Sequence, residues 1–292
     1  MALTVGLVGS GMRAATVHAP ALAATRDIEF VGVWGRRASA VEHLAGQHGV
    51  VAFSQFSELL DKCEAVSFAV PPAVQSDLGR IAARARKHVL LELPIAWDTA
   101  GAEELAAAVA ASHVISQVAF TWRYSEPVRL FLRELESIPP ARAAQGRVTR
   151  AVRPGAGGPR SERRVLFDHG PHVADLLDAT LGEIVEVQAR HAGPDSVKLR
   201  FEHRLGGEST TLLGTSTAIE RDQAELALEF EGTDQTRVLD LSDAAGSADH
   251  TRMFREFAHA VQTGEAPALD VYRGLHVQRV VEAADTDLLL NG

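Results

Sequence analysis

Leu3-Thr4-Val5-Gly6-Leu7-Val8-Gly9-Ser10-Gly11-Met12-Arg13-Ala14 decides how the rest of this chain is read. Leu3 to Val8 is apolar and β-prone and reads as a strand. Arg13 to Ala24 is alanine-rich and reads as a helix. Between them lies Gly-x-Gly-x-x-Ala, the turn that grips a phosphate at the start of a βαβ unit. Gly9 allows the tight turn. Gly11 lets the backbone approach a pyrophosphate, since a Cβ there would occupy the anion's space. Ala14 lets the helix pack close to the strand. N–H groups at the helix start and the helix dipole then face the anion. A plain glycine turn is the alternative; the preceding strand and following helix favour the dinucleotide.

The bulk numbers narrow the possibilities. A chain of 292 residues suits two domains of ordinary size, and 46% hydrophobic residues suffice for real cores. The net charge of −9 opposes a general nucleic-acid field. No apolar run is long enough to span a bilayer, and the chain enters a strand without a basic leader. No membrane association and no nucleic-acid partner are expected. One cysteine, Cys63, excludes an intrachain disulfide and fits a reducing, cytoplasmic setting; it reads as a small apolar residue near a helix end.

Beyond the turn, Ile28 to Trp34 forms a second strand. At its end, where NAD-specific folds place an acid on the ribose hydroxyls, stand Gly35, Arg36 and Arg37. Two cations favour a ribose 2′-phosphate, and so NADP over NAD. Two solvated arginines opening the helix Ser39 to Gly49 are the other possibility. Further strands are expected at Val50 to Phe53, Ala65 to Val70, His88 to Leu91 and Val114 to Phe120. Helices are expected at Ser54 to Lys62, Gln75 to Arg86 and Thr99 to Ala111. Strand and helix alternate, which implies a parallel sheet covered on both faces. Val70-Pro71-Pro72 closes one strand at the carboxyl edge, where open α/β sheets bind ligands.

The pattern changes near residue 120, giving expected domains 1–120 and 121–292. A helix Pro127 to Ser137 is followed by Val148 to Pro159, read as a flexible basic loop carrying Arg150, Arg153 and Gly155 to Gly158. Leu166 to Leu181 is helical. Glu183 to His191, Ser196 to Leu205, Glu208 to Ser216, Ala224 to Glu231 and Thr236 to Leu241 read as strands without helices between them. Several alternate polar and apolar residues, as antiparallel strands with one wet face do. Gly206-Gly207 suits a hairpin. Thr251 to Gln262 and Tyr272 to Leu290 close the chain as helices.

These marks together resemble the glucose–fructose oxidoreductase, inositol dehydrogenase and rhizopine-catabolism family, often written Gfo/Idh/MocA. The resemblance rests on Gly9 to Ala14, Val70-Pro71-Pro72, Lys87 to Pro94, Arg123, Asp168 to Asp175, and Phe257 to Pro267 with Gly264. It covers essentially the whole length, with some loops trimmed. It implies a Rossmann domain followed by an α+β domain with a mostly antiparallel sheet. It implies an NAD(P)-dependent oxidoreductase of a small sugar-like, cyclic-ketone or imine substrate, assembled as a dimer or tetramer. Gly9, Ser10, Gly11, Met12, Arg13, Arg36, Arg37, Val70, Pro71, Pro72, Glu92 and Pro94 would bind the cofactor. Leu93, Arg123, Asp168 and His172 would meet the substrate.

The family's Asp-x-x-x-His pair is here Asp168 and His172, and a spacing of four puts both on one helical face. A carboxylate beside an imidazole favours the charged ring and orients it, which suits proton transfer. Asp168 as a helix N-cap with a backbone-bonded histidine is the alternative. Asp175 faces a similar way. His169 could join a metal site, but no third strong ligand is indicated and none is expected. The family's Glu-Lys-Pro is here Glu92-Leu93-Pro94, and leucine neither donates nor accepts a proton. Either His172 supplies the acid, or the chain is an inactive cofactor-binding sensor or regulator; a lyase or isomerase using transient hydride transfer is a third class.

Overall fold

A computed structural model of the protein describes residues 1–138, 140–152, 161–193, 195–230, 236–244 and 248–290. The chain forms two units: Met1–Ala119 with Asp249–Gln278, and Phe120–Ala248 with the chain from Arg279.

The first unit opens with β1 (Leu3–Val8), whose Val5, Leu7 and Val8 have no exposed surface. A π-helical turn, Ala14–His18, leads into α1 (Ala19–Ala24); the Ala19 N–H reaches back five residues to the Ala14 carbonyl. Then come β2 (Ile28–Trp34), α2 (Ala38–His48), β3 (Val51–Ala52), α3 (Phe56–Lys62), β4 (Ala65–Phe68) and α4 (Pro72–Arg84). β5 (His88–Leu91), α5 (Thr99–Ser112) and β6 (Ser116–Val118) follow. The strands lie in the order β3-β2-β1-β4-β5-β6 and all pair in parallel. The order reverses between β1 and β4, so a crevice opens at the carboxyl ends of those strands. Pro72 is itself the first helical residue, where its fixed φ and missing N–H cost nothing.

The second unit begins with a 3₁₀ turn, Thr121–Tyr124, and α6 (Glu126–Leu135). β7 (Ala141–Ala151) follows, then α7 (Ser161–Leu181), β8 (Ile184–Gly193), β9 (Ser196–His203), β10 (Glu208–Ser216), β11 (Gln223–Phe230) and β12 (Thr236–Asp240). The sheet runs β12-β11-β7-β10-β9-β8, with only the β7–β10 pair parallel. In β9, Val197, Leu199, Phe201 and His203 are buried while their neighbours are half-exposed. That is the period of two expected of a sheet covered on one face. The β9–β10 hairpin turns at Gly206, whose φ of +87° is the left-handed conformation glycine tolerates.

Two expectations fail here. Val148 to Ala151 is no loop: it is the end of β7, a central strand of the second sheet. Only Ala144 and Val148 of β7 are fully buried, so its arginines, glutamine and threonine hide the strand pattern. Arg153 and Gly155 to Gly158 lie outside the described residues. Nor does the helix carrying Asp168 start near Leu166. It begins at Ser161, and Gly170-Pro171, which looks like a helix start, sits within it. The N-cap alternative for Asp168 therefore falls.

A single cut at residue 120 also does not describe the division, because 249–278 belong to the first unit. This return segment holds α8 (His250–Thr263) and the first turns of α9 (Val271–Leu290). Phe254, Phe257 and Val271 are fully buried, worth roughly 1.5–3 kcal/mol each. Polar bonds fix it as well. Val118 N–H donates to the Leu269 carbonyl at 2.7 Å, and the Gln117 amide to that of Met253 at 2.9 Å. Gln278 both accepts from Ala96 N–H (3.1 Å) and donates to the Ala96 carbonyl (3.2 Å). Among the described residues, no helix is long and apolar enough to cross a membrane.

Candidate functional site

Gly9 closes β1 with φ +126°, and a Cβ there would stand 2.3 Å from the Ala69 carbonyl oxygen. Only glycine lets the β1 and β4 ends come this close. Gly11 differs: a Cβ there would have no protein atom within 4 Å. Its missing side chain leaves room outside the protein. Gly9, Ser10, Gly11, Arg36, Arg37, Val70 and Pro71 all line one cleft of about 510 Å³, together with Trp34 and Val74. Sequence positions 9–11, 36–37 and 70–71 are thus brought together at the end of the sheet. Arg36 and Arg37 are both exposed, and neither has an ion-pair partner among the described residues. Met12 is 79% exposed and stands away from the packed part of the turn. An open phosphate turn with two uncommitted cations beside it fits a dinucleotide, the cations suiting a 2′-phosphate.

Arg13 and Glu92 meet directly. Arg13 Nε donates to Glu92 Oε1 at 2.7 Å and Nη2 to Oε2 at 3.3 Å. His18, with no exposed surface, joins the same carboxylate through Nε2 at 2.7 Å and Ser67 Oγ through Nδ1 at 2.8 Å. The π turn delivers His18 to this point; single π turns of this kind recur at functional sites. Burial pushes the Glu92 carboxyl up, but the His18 bond and charge, then Arg13, outweigh it and hold the group at about 2. The backbone around Glu92 is clamped by the buried Gln75. Its Nε2 donates to the carbonyls of Glu92 (2.8 Å) and Ile95 (3.1 Å), and its Oε1 accepts from Glu92 N–H (2.8 Å). Leu93 and Pro94 are half-buried in this segment. Sequence reading missed His18, Ser67 and Gln75. A histidine alone in an alanine-rich apolar helix was the available signal.

In the second unit, the imidazole of His172 lies flat on the indole of Trp122, centroids 5.1 Å apart and planes 14° apart. Phe120 meets the same ring edge-on at 6.5 Å. Trp122 is almost fully buried, so the ring rests on a fixed surface. Asp168 does not supply the expected partner for His172. Its carboxylate bonds to the Arg150 guanidinium, a permanent cation delivered by β7, the strand that the sequence hid. His169 also meets Trp122, ring centroids 6.0 Å apart, and its Nε2 lies 3.7 Å from the Asp222 carboxylate. Burial lowers its pKa, partly offset by Asp222 and Asp168, so the neutral ring is favoured. Arg123 reaches the buried Asp175 at 3.2 Å. Asp175 thus fixes Arg123, 52 positions away in sequence, rather than extending the Asp168 face.

A doubly wound parallel sheet with an open glycine turn at its reversal point defines a dinucleotide-binding Rossmann fold. Residues 3–120 match the sequence model described as "Oxidoreductase family, NAD-binding Rossmann fold". Oxidoreductase P35 of Formosa agariphila is 32% identical over 133 residues, which are 44% of this chain and 41% of that protein. Glucose-6-phosphate 3-dehydrogenase of Bacillus subtilis is 28% identical over 126 residues, 43% of this chain and 36% of that one. The matched region therefore spans less than half the length of either relative. UDP-N-acetylglucosamine 3-dehydrogenase GnnA from Acidithiobacillus ferrooxidans shares the fold with a TM-score of 0.84, covering 99% of this chain and 98% of that one at 18% identity.

Proposed function

We propose that this protein is an NAD(P)-dependent oxidoreductase acting on a ring hydroxyl or keto group of a small sugar-like molecule, with NADP preferred. The observation that carries the proposal is the cleft where the Gly9–Gly11 turn shares one lining with Arg36 and Arg37. The turn would hold the pyrophosphate and the arginines the 2′-phosphate. Two similar proteins are named sugar 3-dehydrogenases, which supports a sugar carbon as the reacting centre; a cyclic ketone or an imine falls in the same chemical class. When bound, the dinucleotide supplies or accepts the hydride. The chain's own part is to bind, orient and move a proton. His172 is assigned the proton transfer to or from the substrate oxygen, oriented by Trp122 and Phe120. Arg123, Asp168 and Leu93 are assigned to the substrate, Leu93 as an apolar wall.

The test is direct. Purified protein is titrated with NADPH and NADH, then mixed in single turnover with a panel of keto-sugars and cyclic ketones while the nicotinamide absorbance is followed. Loss of the reduced-nicotinamide band with at least one carbonyl compound is expected. Tight cofactor binding with no hydride transfer across the panel would favour a sensor instead, a reading that rests on Leu93 standing between Glu92 and Pro94. Cofactor preference gives a sharper result. Replacing Arg36 and Arg37 together by alanine should weaken NADPH roughly ten- to a hundredfold and leave NADH nearly unchanged, since charge-assisted bonds of this kind are worth about 1.5–3 kcal/mol. Equal losses for the two cofactors would reject the assignment.

A further inference from the structure

The Arg13–Glu92 pair invites a question that stability does not answer. A partly exposed ion pair contributes little to folding, and Arg13 is 43% exposed. Yet it is backed by three polar side chains with little or no exposed surface: His18, Ser67 and Gln75. Burying polar groups for no purpose is costly.

Position explains the arrangement. Arg13 sits just behind the phosphate turn of β1, Ser67 is on β4, and Glu92 follows β5. The strand order is β2-β1-β4-β5, so this chain of bonds lies across the reversal point from Arg36 and Arg37 at the β2 end. A dinucleotide bound at such a reversal spans both sides. With its 2′-phosphate at the arginines after β2, its second phosphate and nicotinamide fall on the β4–β5 side.

We propose that Glu92 is a positioning residue that holds the Arg13 guanidinium in place to bind the dinucleotide's second phosphate, with His18 and Ser67 fixing Glu92 in turn. Two of the five guanidinium N–H groups are committed to the carboxylate, which leaves donors for an anion. A free surface arginine would lose side-chain freedom on binding; a clamped one has already lost it. His18 and Arg13 hold the Glu92 carboxyl well below the usual carboxylate range, so it faces Arg13 as the charged carboxylate. The inference rests on the dinucleotide proposal above.

Equilibrium binding tests it with two probes, NADPH and adenosine 2′,5′-bisphosphate, which lacks the second phosphate and the nicotinamide. Arg13→Ala and Glu92→Gln should each weaken NADPH by roughly tenfold or more. Both should leave the bisphosphate affinity unchanged. The double variant should be no weaker than Arg13→Ala, because Glu92 acts only through Arg13. A residue with a merely structural role would weaken both probes and add to Arg13→Ala. Unchanged NADPH affinity in Glu92→Gln, or additive losses, overturns the inference while the dinucleotide proposal stands. Wild-type protein that binds neither probe overturns both. Melting temperatures accompany each variant; should Glu92→Gln fail to fold, Glu92→Asp, which keeps the charge but withdraws the carboxylate from Arg13 by one methylene, is read on the same two probes with the same expected and overturning results.

Discussion

Replacing His172 with alanine is expected to lower turnover by about two to four orders of magnitude, the usual worth of general acid–base catalysis, once a keto-sugar substrate is in hand. NADPH affinity should be unchanged, because the phosphate turn and the arginines after β2 lie in the other unit. The ring's position comes from stacking on Trp122 and the edge of Phe120, not from Asp168, whose carboxylate is occupied by Arg150. Asp168→Asn should therefore cost much less than the histidine change. Near-normal turnover in His172→Ala would place the proton transfer elsewhere.

The second large effect lies at Gly11. Gly11→Val should raise the NADPH dissociation constant by at least about a hundredfold, near 3 kcal/mol, with an almost unchanged melting temperature. The asymmetry with Gly9 makes this a clean test. At Gly9 a side chain would meet the Ala69 carbonyl and a left-handed φ, so the protein itself would suffer. At Gly11 an added Cβ would have no protein atom beyond its chain neighbours within 4 Å, so a ligand at the turn is what the added branches would meet. Wild-type affinity in Gly11→Val would remove the basis for a dinucleotide at this turn.

Much of this was legible in the sequence where local signals are strong. β1, β2, β5 and β10 have the expected bounds, since each is a compact apolar or alternating run ended by turn residues. β7 was illegible because a strand bonded on both sides needs few buried side chains; alanine, arginine and glutamine satisfy its ladder as well as valine does. The return of 249–278 to the first unit was also hidden. Periodicity shows that α8 buries Phe254 and Phe257, but not against which partner. The site divides in the same way. Glycines and arginines of the turn are spaced by local geometry and can be read. The His18–Ser67–Glu92 chain joins residues 49 and 74 positions apart, and no period links them. Asp168 and His172 share a helical face as their spacing requires, yet Asp168 bonds to Arg150, the third residue of a segment taken for a loop.

The interrupted first unit carries a consequence for synthesis. On the ribosome, β1 to β6 emerge while the residues of α8 are still untranslated. At roughly 5–20 residues per second, the intervening stretch takes on the order of ten seconds to make. Throughout that interval the nascent sheet lacks Phe254 and Phe257 and the backbone partners of Gln117 and Val118. The unit that holds the Gly9–Gly11 turn is the first to be translated and is complete only once residue 278 has been made.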